Sequence, residues 1–160
     1  MSGVKVLCRV LGSLALGTSM LIMGGLTAHA GTCLGTSGDD NLMCSSGDDY
    51  MDGFGGNDTM SGLGGYDEMH GSGGVDFLHG NNGNDTMYGE AGGDAIVGDS
   101  GNDALHDTNA NDSDYVCGLG GSDDEIWVND GDPNDIVYEL YGVIHAEAAD
   151  SIHGSETLCP

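Results

Sequence analysis

The sequence predicts an all-β fold, a coil of very short strands joined by tight glycine turns. Three columns sharing one nine-residue period carry that expectation. Residues 38–109 read as eight consecutive units without a gap. Every unit has an Asp at its sixth place: Asp40, Asp49, Asp58, Asp67, Asp76, Asp85, Asp94 and Asp103. Two residues before each Asp stands a Gly, from Gly38 and Gly47 through Gly92 and Gly101. Two residues after each stands a large aliphatic side chain: Leu42, Met51, Met60, Met69, Leu78, Met87, Ile96 and Leu105. Independent columns that hold register together argue for a structural repeat rather than a formless Gly-rich linker.

In chain order, residues 1–30 read as a secretory leader. Lys5 and Arg9 supply its positive start, residues 10–26 an apolar run, and Ala28-His29-Ala30 a cleavage site before Gly31. A membrane anchor is the competing reading, but the run is interrupted by Gly, Ser and Thr and is short for a span, so no membrane insertion is expected. Residues 31–37 form a short N-terminal cap segment. Export would place Cys33, Cys44, Cys117 and Cys159 in an oxidising compartment as an even set. Three pairings are open. Cys33–Cys44 with Cys117–Cys159 would close each end of the structure, whereas a zinc site lacks the paired C-x-x-C spacing.

Within a unit such as Gly62 to His70, the glycines permit a tight turn with inward-facing carbonyls. Glu68-Met69-His70 can then make a very short strand with Met69 inside. Two units make one coil, so unit n stacks on unit n+2 about 4.8 Å away. The Asp residues thereby form two ladders, Asp40, Asp58, Asp76, Asp94 and Asp49, Asp67, Asp85, Asp103. Stacked carboxylates repel unless a cation lies between them. Calcium, which takes six to eight oxygens in a tolerant geometry, suits the gap better than metals that prefer His or Cys. The Asp pairs predict about six ions, with Asp94 and Asp112 as a weaker further pair.

The units GFGGNDTMS, GLGGYDEMH, GSGGVDFLH and GNNGNDTMY, residues 53–88, resemble the RTX, or haemolysin-type, calcium-binding repeat, G-G-x-G-x-D-x-U-x. The resemblance implies a right-handed parallel β-roll with Ca²⁺ as structural cofactor; the small aliphatic core, the entropy of ordering about seventy Gly-rich residues and the adverse charge further predict a block that folds on calcium binding. It places the roll at residues 38–112. The N-terminal leader and the cysteines depart from the family pattern, and haemolytic activity is not implied.

Residues 113–160 are expected to be a degenerate repeat and a small C-terminal β cap. Ile126-Trp127-Val128 and residues 136–141 are its strand candidates, with Trp127 in the cap core. Asp130, Asp132 and Asn134 resemble half of an EF-hand loop whose sixth and twelfth places are wrong.

The net charge of −25 becomes −27 once Lys5 and Arg9 are gone, leaving no Lys or Arg. Such a chain repels phosphate backbones, so nucleic-acid binding is excluded. Phosphate loops are excluded for want of Lys. No H-E-x-x-H accompanies His145-Ala146-Glu147, and Gly98-Asp99-Ser100-Gly101 falls inside the repeat frame. The reading is a secreted or extracellular, non-catalytic calcium-binding protein, with the periplasm or cell surface as related destinations. Its alternative is a calcium-dependent adhesion module binding a glycan or cell-surface ligand. The outward His70, His106, Tyr50, Tyr88 and Glu68 would form its face, although a plain solvated face explains them too.

Overall fold

Two parallel seven-stranded sheets enclose a core of aliphatic side chains in the computed structural model. The residues described are 30–107, 109, 112–128, 134–138, 142–146 and 151–153. Except for Ala30, the expected leader lies outside them, as do Asp130, Asp132 and Cys159. One sheet stacks β1 (Thr32–Thr36), β3 (Tyr50–Phe54), β5 (Glu68–Gly73), β7 (Thr86–Ala91), β9 (Ala104–His106), β11 (Glu125–Val128) and β13 (Val143–Ala146) in that order. The other stacks β2 (Asn41–Met43), β4 (Thr59–Gly64), β6 (Phe77–Asn82), β8 (Ala95–Ser100), β10 (Tyr115–Leu119), β12 (Ile136–Tyr138) and β14 (Ser151–His153). Each strand thus pairs with the second one along the chain, the signature of a coil with one strand on either side. The fold is an all-β parallel β-roll.

The aliphatic column forms the core. Met51, Met69, Met87, Leu105 and Ile126 line one sheet, and Leu42, Met60, Leu78, Ile96, Val116 and Val137 line the other, all buried. Cys33 and Cys44 are disulfide-bonded, with Cα atoms 6.1 Å apart, and Cys33 closes the core at its N-terminal end.

Most strands are longer than the three residues the period suggests. β5 runs six residues, into the next unit, because Gly71 continues the extended chain inward without a side chain. The residue after that glycine turns the chain with positive φ: Phe54, Leu63, Ser72, Asn81, Glu90 and Asp99 all lie between 67° and 74°. The family pattern places Gly there. This chain sets L-residues in left-handed geometry, which costs about 1 kcal/mol each.

Past residue 113 the same two sheets continue through β10 to β14. The strand expected at Ile126-Trp127-Val128 is within β11, but Trp127 is not core. The alternation buries Ile126 and Val128, so Trp127 faces out, half-buried.

Candidate metal centre

All eight predicted Asp residues are buried and stand in the two expected ladders. The backbone N–H of each donates to Oδ1 of the Asp one coil later. Asp58 N–H to Asp76 Oδ1 is 2.8 Å, Asp67 to Asp85 2.9 Å and Asp76 to Asp94 2.7 Å. From Asp58 to Asp103, one carboxylate oxygen per Asp is therefore committed to the preceding coil. The other, Oδ2 of Asp58, Asp67, Asp76, Asp85, Asp94 and Asp103, is buried without a hydrogen-bond partner. The first coil differs. Asp49 Oδ2 accepts from the N–H and hydroxyl of Ser45, and Asp40 Oδ2 from those of Thr36, while Asp40 Oδ1 is the oxygen left buried without a partner.

Two glycine columns make room for this arrangement, for different reasons. At the first place of the unit, a Cβ on Gly53, Gly62, Gly71 or Gly80 would meet the Oδ2 of the Asp five residues on. At the fourth place, the chain turns with φ between 109° and 150° and lies against the backbone of the preceding coil. A Cβ on Gly74 would sit 1.9 Å from the carbonyl oxygen of Gly56.

Burial dominates the electrostatics. It pushes the carboxyls up from the usual 3.8, to about 7 for Asp67 and Asp103, about 6 for Asp76 and about 8 for Asp94. Backbone hydrogen bonds from the preceding Asp oppose this and do not offset it. A buried carboxylate oxygen without a donor costs several kcal/mol unless a proton or cation joins it. The donor set, carboxylate oxygens in a chain with no Lys or Arg after Arg9, fits a hard cation such as calcium.

The ladders are longer than the strict period predicted. Asp94 N–H donates to Asp114 Oδ1, Asp103 to Asp124 and Asp114 to Asp135, over steps of 20, 21 and 21 residues instead of 18. Asp112, expected to pair with Asp94, instead accepts from Gly92 N–H and the Asn109 amide. Its place in the ladder belongs to Asp114, because the unit has lengthened. The missed members had a visible signal: Val116, Ile126 and Val137 each stand two residues after their Asp, as in the regular units.

On the outer face of one sheet, His70, Tyr88, His106 and Trp127 stack as a ladder. Ring centroids are 4.7, 4.8 and 6.0 Å apart and planes lie within 15°. Glu68 and Glu90 bracket His70 at 3.1 and 2.8 Å. Burial works to lower the His70 pKa, but the two carboxylates prevail and raise it.

The family model for the RTX calcium-binding nonapeptide repeat, built of four copies, matches residues 34–69 and again 70–105. Comparison with curated proteins and with solved structures finds no match.

Proposed function

We propose, from the premise that residues 34–105 belong to the RTX calcium-binding repeat family, that the chain is an exported, non-catalytic calcium-binding protein. Asp40, Asp49, Asp58, Asp67, Asp76, Asp85, Asp94 and Asp103 hold about six ions between successive coils, and the repeat block folds on binding them. The observation that carries this reading is the row of buried, unpartnered Oδ2 atoms on Asp58 through Asp103. Without a cation each would have to be protonated or left desolvated and charged. At a Kd of about 0.1 mM per site, about 1 mM calcium adds roughly 1.4 kcal/mol per ion. Six such ions add about 8 kcal/mol, comparable to the whole stability of a small domain. Calcium is then a compartment switch. A chain with the leader described above stays unfolded where free calcium is low and folds where it is millimolar.

The ring ladder does not favour the glycan-binding alternative. Rings stacked on one another turn their edges outward, whereas sugar recognition by aromatics uses exposed faces.

The test is a calcium titration of the full chain, followed by far-UV circular dichroism with bound ions counted by native mass spectrometry. A cooperative gain of β signal with about six ions bound is expected. A full β signal in excess chelator, with few ions taken up on adding calcium, would overturn the proposal.

A further inference from the structure

Asp107 breaks the repeat in an informative way. It stands 18 residues after Gly89, at the first place of its unit, where Gly35, Gly53, Gly62, Gly71, Gly80, Gly89 and Gly98 stand in every earlier unit but the one that begins at Cys44. That place points inward. A glycine there leaves space for the ladder carboxylate, and Asp107 fills the space with a carboxylate of its own.

Asp107 is 1% exposed, and no N–H or hydroxyl donor reaches either of its oxygens; its carboxyl meets that of Asp114 at hydrogen-bonding range. Its carboxyl is aimed at two ladder carboxyls, those of Asp94 and Asp114. One oxygen from each of the three lies within 4.8 Å of the others. Oδ1 of Asp94 and of Asp114 are committed to the N–H groups of Asp76 and Asp94. Their Oδ2 atoms and both oxygens of Asp107 receive no N–H or hydroxyl donor.

We propose that Asp94, Asp107 and Asp114 form a separate calcium site inside the roll, distinct from the turn sites of the regular repeats and created by the replacement of a repeat glycine with Asp107. Three carboxylates converge here, one oxygen from each, and water or main-chain carbonyls complete the coordination that calcium requires. The only Lys and Arg of the chain, Lys5 and Arg9, belong to the leader, so after export no side chain offers a permanent positive charge. Magnesium fits less well, because it gives up its water reluctantly and a buried cluster leaves little room for it. The choice of calcium over other hard cations rests on the reading of the ladders given above.

Calcium alone is the probe. Native mass spectrometry of the full chain in saturating calcium should count one ion fewer for Asp107→Asn and for Asp107→Gly than for the unaltered protein, with the remaining ions retained. Asp107→Gly restores the residue that the other units carry, so it keeps the test alive if the amide variant misfolds. The infrared spectrum of the unaltered, calcium-saturated chain at neutral pH should show no band from a buried protonated carboxyl. An unchanged ion count in a folded variant, or a protonated-carboxyl band of the unaltered chain that disappears in Asp107→Gly, would overturn the site while leaving the ladders untouched. If the unaltered chain binds no calcium at all, both readings fall together.

Discussion

At the residue scale, the glycines are not interchangeable. Gly74 has φ of 130°, and a methyl group on it would collide with the carbonyl of Gly56 in the coil below. Gly38 begins the same column, yet a Cβ there meets nothing within 4 Å, because among the described residues no coil lies on that side. Gly74→Ala is expected to cost about 4 kcal/mol or more, and Gly38→Ala to fall within about 0.5 kcal/mol of the parent. Denaturant midpoints of the two variants in saturating calcium decide this. Equal midpoints would mean that the stacking described here does not exist in solution. The sequence shows both as the same letter in the same column. Only the stacking direction separates them, and nothing local encodes it.

At the scale of the element, a strand contributes one inward aliphatic, one half-buried outward residue and one inward glycine, as in Met87, Tyr88 and Gly89 of β7. The inward column was legible because period and hydrophobicity agree. The outward ladder was legible only in part. His70, Tyr88 and His106 recur at 18 residues, but Trp127 joins them after a step of 21, which hides it from a fixed period. The same change of step concealed Asp114, Asp124 and Asp135. Asp107 and Asp112 added to the confusion by supplying acids near the places where a strict count looks for a glycine and a ladder Asp. Tyr88 touches a ring on each side, so Tyr88→Ala removes two stacked contacts and part of a half-buried surface. A loss of about 1–3 kcal/mol is expected, read as a lower thermal midpoint at an unchanged calcium count. A variant as stable as its parent would make the ladder ornamental.

At the scale of the whole molecule, pH and calcium oppose each other. Burial raises the carboxyls of Asp67, Asp76, Asp94, Asp103 and Asp114 to values between about 6 and about 8. An acid whose folded pKa is raised binds more protons folded than unfolded. The stability it brings is therefore present in full below about pH 3.8 and lost as pH climbs through the folded values. In calcium-free buffer the roll should hold more β structure near about pH 5 than near about pH 8. Added calcium should restore far more of it at the higher pH, where protons no longer compete for the same oxygens. Circular dichroism at the two pH values, with and without calcium, measures both effects. A calcium-free β signal that is present and equal at the two pH values would contradict the buried ladders.

The equal spacing of the first coils has a consequence for how the chain finds its shape. From β2 to β9 a shift of 18 residues lays Asp on Asp, aliphatic on aliphatic and glycine on glycine. A strand that docks one thread too far along satisfies nearly every contact, like a nut started on the wrong turn of a bolt. The steps of 20 and 21 residues further on cannot be matched that way, and neither can the disulfide between Cys33 and Cys44. The irregular end and the bonded end are thus the marks that tell an otherwise self-similar screw where it starts and stops.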